Sequence, residues 1–245
     1  MQGRILSILV TGGAGGLGRK ICEYFHNCGH KIFVFDKVSK NEIDPAFLLL
    51  LSGYFQCDLS NLMELIECFN ILMEKTQQVD VLINNVSVRQ FKYLDDFQLS
   101  EIEKNIHVDF ICPVILSRLC LSKMKKNNFG RIINISSISA LQGYRTGSLY
   151  CSSKHALITF TESLSSELTH LNGAITINTI CPDSFSKVNE MVLINHRSTI
   201  NLILANINRL INSSKNGRII SIFTYQNRLL EIIRYMKRAI QILIN

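Results

Sequence analysis

The sequence contains no tryptophan and only three prolines, and none of its eight cysteines forms a C-x-x-C pair. No Cys/His cluster has zinc-site spacing, so we predict no metal centre. The longest uninterrupted apolar run, residues 46–51, is far shorter than the roughly 20 residues of a membrane-spanning helix. The start of the chain lacks a long apolar signal region, and a glycine-rich loop follows at once. We therefore expect reduced thiols and a cytoplasmic, unsecreted protein without a transmembrane segment.

Charge is sparse and moderately basic, with 26 Lys and Arg against 19 Asp and Glu, a net charge of +7. No dense basic tract with interleaved aromatic residues is present, so we expect no nucleic-acid partner. Part of the excess positive charge lies near the end of the chain, where one helical face is apolar and the other basic. This pattern predicts an extra amphipathic helix over residues 225–245, which packs on the body of the protein or on a sister subunit. Contact with a membrane surface is the alternative.

Short segments rich in Ile, Val and Phe alternate with stretches whose apolar residues lie three or four positions apart. Alternating strands and helices, without a repeat or a linker, predict an α/β fold. We expect a doubly wound, mostly parallel, seven-stranded Rossmann-like sheet with helices on both faces. We also expect a single domain over residues 1–245. The predicted strands are residues 4–10, 31–35, 54–57, 79–83, 131–135, 175–180 and 218–223.

A glycine-rich loop connects the first predicted strand to the first helix. Glycine permits sharp turns and lets a pyrophosphate approach the peptide N–H groups, while the helix N-terminus adds partial positive charge. The order of strand, loop and helix therefore predicts a dinucleotide site. The loop residues that we predict to contact the cofactor are Thr11, Gly12, Gly16, Leu17 and Gly18.

An acidic residue, Asp36, ends the next apolar run. A carboxylate there accepts hydrogen bonds from both hydroxyls of an adenosine ribose and repels a 2′-phosphate. Asp36 therefore favours NAD(H). Lys37 beside it offers a partner for a 2′-phosphate, so NADP(H) is the alternative cofactor.

A second group of candidate functional residues lies in the later half of the chain. Tyr150 and Lys154 are four residues apart, so a helix places them on one face. Ser137 follows a predicted strand at its carboxyl end, where parallel sheets hold their ligands. Ionising a tyrosine near neutral pH requires about 4 kcal/mol. A cation about 4 Å away supplies about that much at an effective dielectric near 20.

Together these motifs resemble the short-chain dehydrogenase/reductase family, in its single-domain branch. The similarity runs from the first strand to about residue 217. The matching residues are T-G-x-x-x-G-x-G at positions 11–18, Cys57-Asp58-Leu59, Asn84-Asn85, Ser137, Tyr150, Lys154 and residues 178–182.

The resemblance implies an NAD(P)(H)-dependent oxidoreductase that interconverts a secondary alcohol and a ketone by hydride transfer. Tyr150 would exchange the proton, Lys154 would assist it and hold the nicotinamide ribose, and Ser137 would orient the substrate oxygen. The family also implies a homodimer or a homotetramer. Further cofactor contacts implied by the resemblance are Cys57, Asp58, Leu59, Asn84, Asn85 and Pro182.

Some residues depart from the family pattern. The position that usually holds an asparagine, thought to bind a water in a proton relay, is Asp109. A carboxylate about 7 Å from the phenolate would oppose its ionisation by about 2 kcal/mol, which raises the expected pH optimum by about one to two units. Asn105 lies four positions too early for that role. The other departures are Val86-Ser87 for Ala-Gly, Asp183 for glycine and Lys187 for threonine.

These departures leave two alternative functions open. A divergent member that binds cofactor but has a regulatory or structural role would explain Asp109, Asp183 and Lys187. Retention of the Ser-Tyr-Lys set favours an active enzyme. An NADP-dependent reductase of 3-oxoacyl thioesters is the other alternative. Lys37 and the basic surface are compatible with it, whereas Asp36 argues against it.

Overall fold

The structure is a computed structural model, and it describes residues 4–183 and 190–222 of the chain. The predicted amphipathic helix at residues 225–245 and the position of Lys187 lie outside the described residues.

A seven-stranded sheet forms the centre of the described chain. In chain order, the seven strands β1 to β7 are Ser7–Thr11, Lys31–Asp36, Gly53–Gln56, Val81–Asn84, Gly130–Ile135, Ile175–Pro182 and Ile219–Ile222. Their order across the sheet is β3-β2-β1-β4-β5-β6-β7. Every pairing in it is parallel. The prediction of a doubly wound Rossmann-like sheet is confirmed, and each predicted segment overlaps one of the strands, with ends that differ by up to three residues.

Helices cover both faces of the sheet, which explains why the central strands are apolar on consecutive residues. Side chains alternate between the faces: Ile8 and Val10 pack toward the helices at residues 16–27 and 190–211, whereas Leu9 packs toward those at residues 62–76, 112–126 and 148–167. The helices are α1 (Gly16–Asn27), α2 (Pro45–Leu48), α3 (Leu62–Thr76), α4 (Leu99–Ile106), α5 (Cys112–Lys126), α6 (Ser148–Glu167) and α7 (Glu190–Ile211).

A π-helical turn, His107–Ile111, joins α4 to α5 without a break. The resulting helix, Leu99–Lys126, is the one helix in the described chain that is long and apolar enough to cross a membrane, with a mean hydropathy of 1.3 over an 18-residue window. Its buried residues Cys112, Leu116 and Cys120 belong to the core between the helices and the sheet. Packing against the sheet therefore accounts for its apolar character.

The strand order reverses at β1, which pairs with β2 on one side and with β4 on the other. In open parallel sheets a ligand crevice lies outside the carboxyl ends of the strands at such a point. The polar residues Thr11 and Asn84 end β1 and β4, and Ser136 follows β5. The fold thus brings three distant polar segments to one edge.

Candidate active site

The loop between β1 and α1 depends on glycine at defined positions. Gly12 and Gly16 have φ angles of +67° and +54°, in the left-handed region that favours glycine. A Cβ atom on Gly18 would lie 2.0 Å from the carbonyl oxygen of Gly12. No side chain caps α1, and no acidic residue lies in its first turn. Its N–H groups are therefore available to an anion.

Asn85 fastens this loop to the end of β4. Its side-chain amide donates to the carbonyl oxygens of Thr11 at 2.9 Å and Gly12 at 3.1 Å. The Thr11 hydroxyl in turn accepts the backbone N–H groups of Asn85 and Val86 at 3.0 and 3.1 Å. The Thr11 side chain is fully buried, so its hydroxyl holds the loop in shape.

Asp36 at the end of β2 is fixed by two backbone N–H groups. Its Oδ2 accepts from Ala14 at 2.9 Å and its Oδ1 accepts from Val38 at 3.1 Å. The carboxylate thereby ties the glycine loop to β2. Asp36 also lines the groove.

Asp58, after β3, presents a second carboxylate to the same groove. Burial acts to raise its pKa, but hydrogen bonds from the Ser60 N–H at 3.0 Å and hydroxyl at 2.7 Å outweigh it. The pKa of Asp58 is therefore lower than usual. The ionised side chain is an acceptor suited to an amino group.

A groove of about 960 Å³ runs along this edge of the sheet, at the upper end of the size range of small-molecule sites. It brings most of the predicted site residues together, while Thr11, Gly18, Asn84 and Asp109 are not among its lining residues. Asn84 instead donates to Asn134 Oδ1 at 2.8 Å in the interior. The predicted residues that line the groove are Gly12, Gly16, Leu17, Asp36, Lys37, Cys57, Asp58, Leu59, Asn85, Ser137, Tyr150, Lys154 and Pro182.

Ser137, Tyr150 and Lys154 all line this groove. Lys154 is 1% exposed and Tyr150 is 5% exposed, so α6 holds both side chains out of bulk solvent. The Lys154 ammonium donates to the carbonyl oxygen of Ile135 at 3.4 Å. The Ser136 hydroxyl anchors α6 to β5 by donating to the carbonyl oxygen of Lys154 at 2.8 Å.

Phe91 is a neighbour of the site that sequence reasoning missed. Its ring centroid lies 5.4 Å from that of Tyr150, and 46% of the residue is exposed. It belongs to the long segment after β4, which has no periodic pattern. A hydrophobic residue in such a segment gives no sequence signal of its proximity to Tyr150.

Asp109 lies beneath the groove, in the π-helical turn, and is fully buried. Its Oδ1 is 3.9 Å from the Lys154 ammonium and accepts the Val88 N–H at 2.8 Å. Burial raises the pKa of the Asp109 carboxyl, and the positive charge of Lys154 opposes this effect without cancelling it. The structure thus brings a titratable carboxyl beside Lys154.

Asn105, one helical turn before Asp109, holds the other backbone group of Val88. Its amide donates to the Val88 carbonyl oxygen at 3.2 Å, and its Oδ1 accepts the Ser153 hydroxyl at 3.2 Å. Asn105 and Asp109 together fix the segment after β4 against α6. No pattern in the sequence predicted this structural role of Asn105.

We expect Asp109→Asn to stabilise the folded protein increasingly as pH rises from about 4 toward 7. The folded state holds the proton on Asp109 more tightly than the unfolded chain does, because the pKa is raised on folding. The unfolding free energy of the native sequence therefore falls with pH in this range, and asparagine removes that loss. Thermal unfolding of both proteins at a series of pH values measures the effect.

The exposed substitution Asp95→Asn is the control, since Asp95 lies at the surface and should give no such trend. A gain in unfolding temperature that is equal at pH 4 and pH 7 would contradict the expectation, as would a loss that grows with pH.

The eight cysteines are free thiols. Burial raises the pKa of Cys112 to about 12 and that of Cys181 to about 11, so neither forms a thiolate at neutral pH. Within residues 4–183 and 190–222, no group of three or more His, Cys, Asp or Glu side chains is placed to hold a metal ion.

Comparisons with known proteins identify the family. The family model described as short chain dehydrogenase matches residues 7–187. The 3-oxoacyl-(acyl-carrier-protein) reductase FabG of Rickettsia conorii is 32% identical over 187 residues, which cover 74% of this chain and 76% of the relative. The NAD(+) 15-hydroxyprostaglandin dehydrogenase of Homo sapiens is 29% identical over 183 residues, covering 71% of this chain and 66% of the relative.

Solved structures share the fold. The structure of 4-hydroxyisoleucine dehydrogenase complexed with NADH has a TM-score of 0.79 at 24% identity, covering 89% of this chain and 97% of that one. An apo SCOR enzyme from Clostridium thermocellum has a TM-score of 0.76 at 27% identity, covering 89% and 91%. The family-model match covers the strands β1 to β6 of the sheet. The chain therefore belongs to the short-chain dehydrogenase family and is an oxidoreductase that acts on CH–OH groups with NAD(P).

Proposed function

We propose that this protein interconverts a secondary alcohol and a ketone by hydride transfer, with NAD(H) as the favoured cofactor. One observation carries the proposal: Ser137, Tyr150 and Lys154 line the same groove as the glycine loop and Asp36. A proton donor, a cation and a dinucleotide-binding loop in one groove are the groups that this reaction needs. The substrate class is a small alcohol or ketone.

The groove residues fit a dinucleotide. The uncapped N-terminus of α1 and the backbone of Gly12, Gly16 and Leu17 would hold the pyrophosphate. The carboxylate of Asp36 would accept the adenosine ribose hydroxyls. The bound nicotinamide accepts or supplies the hydride. The other proposed cofactor contacts are Lys37, Cys57, Asp58, Leu59, Asn85, Tyr150, Lys154 and Pro182.

Tyr150 would exchange the substrate proton. In reduction its hydroxyl donates to the carbonyl oxygen, and in oxidation its phenolate accepts the alcohol proton. The ammonium of Lys154, one helical turn away, favours the phenolate electrostatically, by about 4 kcal/mol if it lies about 4 Å from the oxygen. Ser137, at the end of β5, would donate a hydrogen bond to the substrate oxygen and orient it.

The experiment for this function uses the full chain, NAD and a panel of secondary alcohols, with NADH formation followed by absorbance. The reverse reaction uses NADH and the matching ketones. Turnover of at least one pair supports the proposal. Dinucleotide binding without turnover of any pair would instead support a divergent member with a regulatory or structural role.

We expect NADH to bind at least about tenfold more tightly than NADPH. A 2′-phosphate would lie against the Asp36 carboxylate, which its hydrogen bonds to Ala14 and Val38 hold in place, and two like charges repel. Fluorescence titration with each dinucleotide measures the ratio. Asp36→Asn should reduce the preference, whereas the exposed substitution Asp95→Asn should leave it unchanged. Tighter binding of NADPH to the native sequence would contradict this expectation.

Reduction of a 3-oxoacyl thioester with NADPH is the second candidate. It is favoured by the 32% identity to the Rickettsia conorii reductase and by Lys37, which lines the groove beside Asp36. An assay of NADPH oxidation with a 3-oxoacyl thioester, run beside the alcohol panel, separates the two candidates. Faster turnover of the thioester would establish the second one.

We also propose a cytoplasmic single-domain protein that forms a homodimer or homotetramer. Two half-buried aromatic residues, Phe110 and Phe160, support self-association; their rings pack edge to face at 6.5 Å between centroids. Light scattering at several protein concentrations measures the mass of the assembly. A monomer at every concentration would rule this proposal out.

A further inference from the structure

Two buried oxygens beside the hydrogen bond between Val88 and Asp109 have no hydrogen-bond partner in the described chain. They are Ser87 Oγ, which follows β4, and Asp109 Oδ2 in the π-helical turn; Asn84 Oδ1 is the third such atom. An unsatisfied buried polar atom costs about 1–3 kcal/mol. The hydrogen bond from Val88 N to Asp109 Oδ1 at 2.8 Å fixes this carboxyl beside the residue that follows Ser87. The Ser87 hydroxyl is close enough to lower the pKa of Asp109.

The two groups suit each other in either protonation state of the carboxyl. An ionised carboxylate only accepts hydrogen bonds, whereas a protonated carboxyl also donates one, and a hydroxyl does both. Ser87 can therefore donate to ionised Asp109 and accept from protonated Asp109. The family pattern has glycine and asparagine at these positions, which offer neither a hydroxyl nor a titrating group. The fold thus places the two departures from the pattern close to each other, since Asp109 binds the residue that follows Ser87.

The surroundings of Asp109 contain few other titratable groups. Lys154 on α6 faces it at 3.9 Å, and Tyr150 lies one turn earlier on α6. Cys112, at the start of α5, is a neutral thiol at neutral pH, because burial raises its pKa to about 12. His107, in the same turn as Asp109, directs its Nδ1 to the carbonyl oxygen of Leu59 at 3.3 Å. Lys154 is therefore the charge that acts on Asp109 in the described structure.

We propose that Ser87 is a positioning residue for Asp109, and that the pair takes up and releases one proton beside Lys154 as the pH changes. The proton passes between Asp109 Oδ2 and solvent in the groove, which Ser87 lines. In the ionised state the Ser87 hydroxyl donates to Oδ2; in the protonated state Oδ2–H donates to Ser87 Oγ. No bond between heavy atoms forms or breaks.

The consequence for catalysis rests on the proposed function. A protonated Asp109 leaves the charge of Lys154 free to favour the Tyr150 phenolate, whereas an ionised Asp109 opposes it. The pair would therefore add its own ionisation to the pH profile of alcohol oxidation. Substitution of Ser87 should move that ionisation without removing a group that touches the substrate.

Infrared spectroscopy of the ligand-free full chain tests the pair without substrate or cofactor. A protonated-carboxyl band that titrates with pH in the native sequence and is missing in Asp109→Asn is expected. Ser87→Ala should move its midpoint to higher pH by at least about half a unit, because the hydrogen bond to the charged form is the stronger one. Ser87→Thr, which keeps the hydroxyl, should restore the midpoint. The pH profile of alcohol oxidation should shift in parallel.

Two outcomes would overturn the proposal: no titrating band that depends on Asp109, or an unchanged midpoint in Ser87→Ala. Thermal unfolding identifies any variant that fails to fold; if Ser87→Ala is one, Ser87→Gly, which also lacks the hydroxyl, takes its place. A titrating band without any turnover would refute the proposed function and leave the pair intact. Turnover without such a band would refute the pair alone.

Discussion

Replacing Tyr150 by phenylalanine is expected to lower kcat at least about 1,000-fold, since acid–base catalysis by a positioned side chain contributes about 10²–10⁴-fold. Dinucleotide affinity should change less than about threefold, which corresponds to less than about 0.7 kcal/mol. The substitution removes only the hydroxyl, and the ring keeps its contact with Phe91. Steady-state kinetics and fluorescence titration with NADH measure the two quantities.

Tyr24→Phe is the matched control, because Tyr24 lies on α1 outside the lining of the groove. It should retain the full kcat. Retention of more than a tenth of the activity in Tyr150→Phe would contradict the role of this hydroxyl. A loss of dinucleotide binding as large as the loss of kcat would show instead that the ring shapes the groove.

Gly18→Ala is expected to lower dinucleotide affinity at least about 100-fold, or about 2.7 kcal/mol, and to lower the unfolding temperature. The added Cβ would lie 2.0 Å from the Gly12 carbonyl oxygen and 2.7 Å from Asn85 Nδ2. Both atoms belong to the hydrogen bond that closes the loop. The start of α1 and the loop must then separate, which costs about 1–3 kcal/mol or more. Titration with NADH and thermal unfolding measure the two effects.

Gly15→Ala is the control for stability, since no atom lies within 4 Å of a Cβ at this position and the backbone there is extended at φ −146°. Its unfolding temperature without ligand should equal that of the native sequence. Equal destabilisation by both substitutions would contradict the argument from close packing.

The buried strands, the helical spacing of Tyr150 and Lys154 and the glycine loop could be predicted from the sequence, because each follows a local pattern. The consecutive apolar residues of β1, β4 and β5 reflect burial on both faces. The four-residue spacing of Tyr150 and Lys154 needs only a regular helix. The glycine loop could be recognised because its positive φ angles at Gly12 and Gly16 favour glycine at these positions. Each of these signals depends on neighbours in the chain, so a single sequence contains it.

The hydrogen bonds of Asp109 and Asn84 join segments that are far apart in the sequence. No local sequence pattern therefore predicts them. The bond between Val88 and Asp109 joins residues 21 positions apart, and that between Asn84 and Asn134 joins residues 50 positions apart. The π-helical turn that presents Asp109 departs from the regular 3.6-residue period. No periodicity argument places this turn. The proximity of Ser87 to Asp109 likewise depends on the hydrogen bond from Val88 to Asp109.

The most direct test of hydride transfer follows the hydride itself. The protein is mixed with a ketone and NADH that carries deuterium at the transferable position of the nicotinamide, and the alcohol product is analysed by mass spectrometry. The proposed function predicts one deuterium on the carbinol carbon with the native sequence and no labelled product above background with Tyr150→Phe. Bound cofactor with no labelled alcohol from any ketone of the panel, or label transfer that persists in Tyr150→Phe, would contradict it.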